Sequence, residues 1–332
     1  MITFSTMEPI RWGIIGPGKI AHSFVNDLKL VQNASLRAVA SRNKNRATDF
    51  AKTYNIPYVF DSYDALFKSD SVEVVYIATP HAFHMDLAIQ AMMHGKHVLC
   101  EKPLGINLNE VNKMIKIARE QNVFLMEALW SRFNPTIQKV KALTDQGKLG
   151  ELTYVNADFA FYALGRPKES RLFDLNLAGG TLLDIGIYPV FLAYLFLGIP
   201  DEIKAVSNFN DFGTEIQTSI VFQYPRAQAI LNSSFTHNSR MSAEIAGTLG
   251  NITLAPRFHE ARGYTINTVQ EQKSLEIPTR GRGYYYEIIE VNNCIQTNKL
   301  ESKLWSHSDS RNLISLLDEI RSITSISFPF ET

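Results

Sequence analysis

The chain has 332 residues, with 33 Lys and Arg against 33 Asp and Glu, and 45% of its residues are apolar. The net charge of zero excludes a global field that would attract nucleic acid or an anionic membrane, and the apolar content excludes an intrinsically disordered chain. This length indicates about two domains, at roughly 150 residues each.

The first half of the chain alternates short apolar runs with helical patterns. Ile10 to Ile15 predicts a strand that stops at Gly16, and the apolar spacing from Ile20 to Leu30 predicts the helix after it. Further strands are predicted at 36–40, 72–78, 97–100 and 123–126, and further helices at 44–54, 83–94 and 109–121. This alternation predicts an α/β fold with a doubly wound parallel sheet, in which ligands bind beyond the carboxyl ends of the strands.

The rhythm changes after about residue 130, where strand-like runs follow one another with little helix between them. They lie at 152–161, 202–208, 214–223, 227–235 and 242–248, and Leu249-Gly250-Asn251 is a hairpin signal. The spacing at 308–323 predicts a final helix. We therefore predict a Rossmann domain at 8–128, followed at 129–332 by an α/β domain with a large, mostly antiparallel open sheet and a C-terminal helix.

The turn after the first strand reads Gly16-Pro17-Gly18-Lys19-Ile20-Ala21, which fits the dinucleotide fingerprint GxGxxG/A. The first glycine permits the tight turn, the second lets a pyrophosphate approach the backbone, and the helix N-terminus supplies unpaired N–H donors. The alternative is an ordinary strand-to-helix turn. We predict that Gly16, Gly18, Lys19 and Ile20 bind the dinucleotide.

The second strand ends where an NAD-preferring fold places Asp or Glu against the ribose 2′-hydroxyl, and here the sequence is Ser41-Arg42-Asn43. A guanidinium at Arg42, with Ser41 as a neutral donor, suits a 2′-phosphate. NADP(H) is therefore the favoured cofactor, and NAD(H) stays possible. Alternatively, Arg42 is a solvated loop charge.

Polar residues also follow the next two predicted strands. Lys102, in Glu101-Lys102-Pro103, ends a strand where a nicotinamide should lie, and Pro103 stiffens the backbone. The alternative is a surface lysine. Contacts to the cofactor are predicted for Thr79, Pro80, His84, Glu101 and Lys102. His81 is expected at the rim of the substrate pocket, although His81 and His84 could also be ordinary helix-start histidines.

Five segments, in this order, resemble the Gfo/Idh/MocA oxidoreductase family, closest to its dihydrodiol dehydrogenase and NADP-dependent D-xylose dehydrogenase branch. They are GPGKIA, YIATPHAFH, CEKPLG, EALWSRF and GGTLLDIGIYP. The resemblance implies a Rossmann domain and a second domain whose open sheet forms a substrate wall and commonly a dimer interface. It also implies that Lys102 is catalytic, often before a cis peptide bond. Tyr188 stands where many members carry histidine.

Asp184 and Tyr188 are four residues apart, so on a helix they would share one face, with Gly186 between them permitting close approach of another group. Oxidation of a secondary alcohol removes a hydride and a proton. A phenol with a pKa of about 10 is a poor base at neutral pH unless a nearby ammonium stabilises the phenolate. We predict Tyr188 as general acid/base, Lys102 as the cation and Asp184 as a positioning group. Alternatively, Asp184 sits at a helix start and Tyr188 at the core edge.

Trp130, Arg132, Phe159 and Phe161 could form a substrate wall, although aromatic residues on strands are more often core. The predicted activity is an NADP(H)-dependent oxidoreductase acting on a secondary alcohol or carbonyl of a sugar, polyol or trans-dihydrodiol. The alternatives are an NAD-dependent glycoside hydrolase and a nonenzymatic NADP(H) sensor.

The remaining expectations concern location and partners. MITFSTMEP lacks the pattern of a signal peptide, no long uninterrupted apolar run occurs, and Cys100 and Cys294 lack metal-ligand spacing. We expect a cytoplasmic protein with reduced cysteines, no metal, and no nucleic-acid or membrane partner. A homodimer through the sheet of the second domain is expected.

Overall fold

A computed structural model describes residues 8–331, so that the start of MITFSTMEP lies outside the described residues. The chain forms two compact units. The first holds the residues up to Leu104, then Asn109–Trp130 and Arg280–His307; the second holds Gly105–Leu108, Ser131–Thr279 and the residues from Ser308 onward.

The first unit is built on a six-stranded, all-parallel sheet with the order β3-β2-β1-β4-β5-β6. Its strands are β1 (Ile10–Ile15), β2 (Ala34–Ala40), β3 (Tyr58–Phe60), β4 (Val74–Ile77), β5 (His97–Glu101) and β6 (Leu125–Ala128). Strands β4 and β6 are buried along their whole length, as expected of strands covered on both faces. The predicted doubly wound sheet is confirmed.

Helices alternate with these strands. They are α1 (Lys19–Leu28), α2 (Lys44–Tyr54), α3 (Tyr63–Phe67), α4 (His84–Met93) and α5 (Leu108–Glu120). The Asn43 side chain accepts a hydrogen bond from the Arg46 backbone N–H and so caps the start of α2. The sequence patterns missed β3 and α3, because elements of three and five residues are too short to show a period.

The structure differs from the predicted division at residues 280–307, which belong to the first unit and not to the second. Helix α8 (Tyr284–Gln296) contacts α1. The buried carboxylate of Asp27 on α1 accepts hydrogen bonds at 2.9–3.2 Å from the backbone N–H groups of Arg282, Gly283 and Tyr285, just before and within α8.

Side chains further along this segment are also bonded within the first unit. Trp12 Nε1 on β1 donates to Asn292 Oδ1 at 3.1 Å, and Trp305 Nε1 donates to Glu127 Oε2 at 3.0 Å. These contacts join residues more than 170 positions apart, and a local hydrophobic period carries no information about them.

The second unit is built on an eight-stranded sheet with the order β14-β13-β12-β11-β7-β10-β9-β8, antiparallel except between β7 and β10. Its strands are β7 (Leu152–Ala160), β8 (Glu202–Phe209), β9 (Glu215–Gln223), β10 (Gln228–Ser234), β11 (Ala243–Gly247), β12 (Gly250–Leu254), β13 (Gly263–Thr268) and β14 (Gln272–Glu276). The predicted mostly antiparallel sheet is confirmed.

Three helices complete this part of the chain: α6 (Pro135–Asp145), α7 (Ile187–Leu197) and α9 (His307–Thr324). Helix α7 packs against β7 and β10. By length and composition the stretch Leu175–Leu197 could cross a membrane, but 78% of its most apolar window is buried inside the protein, as in a core helix.

Replacing Asp27 by Asn tests how far the 280–307 segment stabilises the first unit. The amide keeps the shape but loses one acceptor, so buried N–H groups lose their partner and the free energy of unfolding falls by about 2 kcal/mol. Urea unfolding followed by tryptophan fluorescence measures this, because Trp12, Trp130 and Trp305 all lie in the first unit.

The matched control is Asp49→Asn, which makes the same chemical change at an exposed position of α2. Equal unfolding free energies for the two variants would contradict a stabilising role for the Asp27 hydrogen bonds.

Candidate active site

The fingerprint turn of the first unit has the backbone that its glycines predict. Gly16 has a φ of +83°, and a Cβ there would lie 3.0 Å from Thr79 Cγ2, so a larger residue would be strained and crowded. A Cβ at Gly18 would meet no protein atom within 4 Å. The second glycine therefore leaves open space at the start of α1, where a phosphate could approach the backbone.

A cavity of about 620 Å³ opens beside this turn. Its walls combine the loops after β1, β2 and β4 with the first turns of α2 and α4. The lining includes Gly16, Gly18, Ser41, Arg42, Asn43, Arg46, Thr79, Pro80, Phe83 and Asp86. Six of the predicted cofactor residues thus line one cavity of a size usual for a ligand site.

The cationic end of the cavity carries two arginines. The Arg42 guanidinium lies over the Phe83 ring, 5.1 Å from its centroid, while the buried Ser41 Oγ accepts a hydrogen bond from the Asn43 backbone N–H at 3.1 Å. The sequence prediction missed Arg46, although a second cation four residues after Arg42 is a visible signal. It also overlooked the carboxylate of Asp86, contributed by α4.

A dinucleotide fits this lining on two observations. The space at Gly18 is one that a side chain would fill, and Thr79 Oγ1, at the cavity wall, is buried without a hydrogen-bond partner among the described residues. Lys19 is exposed and Ile20 half-buried at the start of α1, but neither lines the cavity, so their contacts to a cofactor stay predictions. The exposed guanidinium groups of Arg42 and Arg46, which do line the cavity, suit a phosphate.

The segment after β5 is held by buried polar contacts. The Lys102–Pro103 peptide bond is cis, as the family resemblance implies. The Tyr76 hydroxyl donates to Glu101 Oε1, and the Leu104 backbone N–H donates to Glu127 Oε1 at 2.9 Å. Burial, followed by the charge of Glu101, raises the pKa of Tyr76 well above its usual value, so Tyr76 stays a neutral donor.

The His84 side chain is fully buried and has no exposed atom, which argues against the predicted direct contact to a cofactor. Its Nδ1 lies 2.8 Å from the Pro103 carbonyl oxygen and its Nε2 lies 2.9 Å from the Thr79 carbonyl oxygen. His81, 7% exposed, begins a 3-10 turn, and its ring lies 5.7 Å from that of His84. A rim position for His81 stays a prediction.

The GGTLLDIGIYP segment lies in the second unit, and its helix is not the predicted regular one. Leu182–Gly186 forms a π-helical turn before α7 begins at Ile187, so Asp184 and Tyr188 are not simply stacked by one α-helical turn. A Cβ at Gly186 would lie 2.9 Å from Ser233 Oγ on β10. The close approach predicted at Gly186 is therefore confirmed.

A buried carboxylate that the sequence prediction missed holds the start of this segment. Glu215 on β9 accepts hydrogen bonds from the backbone N–H groups of Thr181 at 2.6 Å and Leu182 at 2.9 Å. The Thr181 hydroxyl also donates to it, as does Thr218 Oγ1 at 2.6 Å. Burial raises the pKa of Glu215, and these hydrogen bonds oppose the rise.

Asp184 has a charged neighbour that was also missed. Arg171 Nη1 donates to Asp184 Oδ1 at 3.1 Å. The carboxylate is mostly buried, with 11% of its side chain exposed, whereas 54% of the Arg171 side chain is exposed. This contact ties the long loop after β7 to the π-helical turn.

Tyr188 lies among rings of the second unit. Its centroid is 5.6 Å from that of Phe159 on β7 and 5.2 Å from that of His259, and the His259 and Phe159 rings stack at 4.3 Å. Phe159 therefore lies beside Tyr188, and its role in a substrate wall stays a prediction. Sequence patterns gave no signal for His259, which sits in a short 3-10 turn between β12 and β13.

The other predicted wall residues lie in different surroundings. Phe161 packs against Phe235 at 5.2 Å. Trp130 stacks on Tyr284 at 4.6 Å in the first unit and is 4% exposed, which is the environment of a core residue. Arg132 is half-buried in the 3-10 turn that begins at Trp130. Substrate roles for these residues stay predictions.

Lys102 belongs to the first unit and Tyr188 to the second, so their predicted pairing stays a prediction. Within residues 8–331, no group of three His, Cys, Asp or Glu side chains is placed to hold a metal ion.

The chain was compared with protein families and with characterised relatives. Residues 10–129 match the family model described as the GFO/IDH/MocA oxidoreductase family with an NAD-binding Rossmann fold, and residues 137–253 match the GFO/IDH/MocA C-terminal domain. The trans-1,2-dihydrobenzene-1,2-diol dehydrogenase of Mus musculus is 35% identical and covers 96% of this chain and 98% of its own. The Homo sapiens enzyme of the same name is 34% identical with the same coverage.

Solved structures give a consistent comparison. A 3-ketoreductase from Actinomadura kijaniata, in complex with NADP and TDP-benzene, superposes with a TM-score of 0.87 at 26% identity and covers 96% of this chain and 98% of its own. Structures of that reductase include a tyrosine-to-phenylalanine variant and a lysine-to-alanine variant.

Replacing Glu215 by Gln tests the anchor of the π-helical turn. The amide loses one acceptor oxygen and places an N–H₂ group against buried donors, so we expect a loss of about 2–4 kcal/mol in the free energy of unfolding. Differential scanning calorimetry measures it against Glu202→Gln, an exposed position of the same sheet. An unchanged melting temperature would show that the anchor stabilises nothing.

Proposed function

Because the chain belongs to the Gfo/Idh/MocA oxidoreductase family, we propose that it is an NADP(H)-dependent oxidoreductase that interconverts a secondary alcohol and a carbonyl. The observation that carries this proposal is the cavity beside the fingerprint turn, where Arg42 and Ser41 replace the carboxylate of NAD-preferring folds.

The cofactor-binding residues have separate tasks. The open backbone at Gly18 and the start of α1 receives the pyrophosphate, and the guanidinium groups of Arg42 and Arg46 hold the 2′-phosphate with the Ser41 hydroxyl. Thr79 and Pro80 line the wall between these sites and the strand end that carries Lys102. Asp86 also lines this cavity, so the proposed preference for NADP(H) requires that the two arginines outweigh its charge.

When bound, the nicotinamide accepts or supplies the hydride. The chain's own residues manage the proton on the substrate oxygen: Tyr188 accepts it when an alcohol is oxidised and returns it when a carbonyl is reduced. Lys102 stabilises the phenolate and so brings the phenol nearer to working pH. Asp184, paired with Arg171, orients a polar group of the substrate.

Support for these roles comes from the residues around each group. Tyr188 is 6% exposed and packs beside Phe159 and His259, so its hydroxyl works in a largely water-excluded place. The solved variants of the Actinomadura kijaniata reductase replace the same two residue types, a tyrosine and a lysine.

The proposed substrate is a sugar, a polyol or a trans-dihydrodiol. The dehydrogenases of Mus musculus and Homo sapiens are named for a dihydrodiol, and the Actinomadura kijaniata structure is of a 3-ketoreductase. Phe159, Tyr188 and His259 supply ring faces together with polar atoms, which suits a ring that carries hydroxyl groups.

The proposed assembly is a homodimer through the open face of the eight-stranded sheet, and the proposed location is the cytoplasm. Val206 on β8 and Ile230 on β10 share this face through the register with β9, and they are 71% and 44% exposed. Both cysteines are free and buried, as a reducing compartment would leave them.

Removing the Tyr188 hydroxyl tests the acid/base assignment. We expect Tyr188→Phe to lower kcat by about 10²- to 10⁴-fold, the usual contribution of a general acid/base, with Lys102→Met similarly impaired. Stopped-flow absorbance at the NADPH band measures the hydride step.

Tyr194→Phe is the matched control, because it removes a phenol hydroxyl further along the same helix, where that hydroxyl bonds Asp309 and Asn312. If Tyr188→Phe turned over normally while Lys102→Met was dead, the lysine would be the base.

Cofactor choice is tested by a screen of NADP⁺ and NAD⁺ against D-xylose, D-glucose, other polyols and a trans-dihydrodiol. We expect NADP⁺ to be preferred, and Arg42→Asp to raise the KM for NADP⁺ at least about tenfold, because a carboxylate repels the 2′-phosphate. The control is Lys44→Asp, which makes the same reversal of charge two residues away, at an exposed position outside the cavity lining. Equal use of NADP⁺ and NAD⁺ by the parent would contradict the proposed role of Arg42 in recognising the 2′-phosphate.

The proposed dimer is tested by charging its face. The double substitution Val206→Lys and Ile230→Lys should convert the dimer to a monomer in size-exclusion chromatography with light scattering, because like charges would meet across a symmetric interface. Val269→Lys, in the turn between β13 and β14 at 99% exposure, should leave the mass unchanged. A monomeric parent would disprove the assembly.

A further inference from the structure

The buried imidazole of His84 lies between two loops of the first unit. Strands β4 and β5 are parallel neighbours, with Ile77 opposite Cys100, so the segments that follow them leave the sheet side by side. His84, the first residue of α4, has one ring nitrogen 2.9 Å from the Thr79 carbonyl oxygen and the other 2.8 Å from the Pro103 carbonyl oxygen. A single side chain therefore spans both loops.

Each of these loops carries part of the proposed active site. Thr79 lines the cavity beside the fingerprint turn, and Pro103 directly follows Lys102. Any shift of the ring changes the backbone position on both sides, because the ring is rigid and has no exposed surface into which it can relax.

The chemistry of the contact is unusual for a packing residue. Both partners of the ring are acceptors, whereas a neutral imidazole has only one N–H to donate. Burial lowers the pKa of His84, the two carbonyl oxygens oppose this, and the charge of Lys102 lowers it further. A neutral ring therefore donates to only one of the two carbonyl oxygens, and only a protonated ring donates to both.

We infer that His84 is a positioning residue that holds the cofactor-lining loop at Thr79 and the lysine-bearing loop at Pro103 in register, and so couples cofactor binding to the placement of Lys102. This inference rests on the proposed function, because it needs a cofactor in the cavity and a reaction at Lys102. The His84 side chain has no exposed atom, so it acts on the cofactor and on Lys102 only through two backbone carbonyl groups.

Two isosteric substitutions separate the contacts. The amide nitrogen of Asn can occupy the place of His Nδ1, and that of Gln the place of His Nε2. His84→Asn therefore places an N–H₂ donor at the Pro103 carbonyl oxygen and none at the Thr79 carbonyl oxygen, and His84→Gln does the reverse.

The expected result is a split between the two variants. His84→Gln should lower kcat at saturating cofactor at least about tenfold and change the Kd for NADP⁺ less than threefold, because it leaves no side-chain nitrogen at the Pro103 carbonyl oxygen. His84→Asn should raise the Kd for NADP⁺ at least about fivefold and keep kcat within about threefold of the parent. Isothermal titration calorimetry and steady-state kinetics on the full chain give both quantities.

The matched control is His307, another buried histidine of the first unit. Its Nε2 lies 3.0 Å from the Leu125 carbonyl oxygen, and burial lowers its pKa as it does that of His84. The same two substitutions at His307 should lower the melting temperature without splitting kcat from NADP⁺ affinity. Parallel losses in both His84 variants, a reversed split, or no change in either quantity would overturn the inference.

A measurement on the parent protein covers the case in which a His84 variant does not fold. In protein labelled with ¹⁵N-histidine, adding NADP⁺ should shift the ring nitrogen resonances of His84, assigned through its own backbone, and leave those of His307 in place. Unshifted His84 resonances at saturating NADP⁺ would overturn the coupling. If the parent oxidises no alcohol in the substrate screen, the proposed function fails, while calorimetry and this measurement still decide whether the ring responds to the cofactor.

Discussion

Parallel pairing in the first sheet is the constraint on which the proposed cofactor site depends. Strand β1 pairs in parallel with β2 and β4, and β4 pairs in parallel with β5, so these strands all end at the same edge. Four features that are distant in sequence therefore lie along this one edge of the sheet. They are the turn at Gly16, the cation at Arg42, the cavity wall at Thr79 and the lysine at position 102. Each loop is short, so the strand that precedes it determines where its side chains lie.

The second unit depends on buried charge in a different way. Burying the carboxylate of Glu215 is costly, and the cost is offset only because Thr181, Leu182 and Thr218 all donate to it. These donors include backbone groups at the start of the GGTLLDIGIYP segment. The carboxylate therefore anchors the backbone at the start of the π-helical turn, just ahead of Asp184 and Tyr188.

Several buried polar side chains in the first unit join segments that are far apart in the chain. Asp27 binds the backbone ahead of α8, Glu127 binds both the Leu104 backbone and Trp305, and His84 lies between the loops after β4 and β5. An unpaired buried polar group is costly, so each of these contacts is specific to one arrangement of its partners. The geometry of the proposed site is thus supported by residues that a ligand does not touch.

Features that depend on local pattern were predictable from the sequence. The strand at Ile10 to Ile15 and the alternation that follows it predicted the parallel sheet, and the glycines at 16 and 18 predicted the turn because their conformational freedom is a property of the residue type. The motifs around Lys102 and Tyr188 indicated the family. Long-range packing assigned residues 280–307 to the first unit, buried the His84 side chain, and brought Glu215, Arg171 and His259 to the GGTLLDIGIYP segment. The physical reason is that hydrogen bonds and ring contacts between distant segments leave no period in the chain, whereas helix and strand faces do.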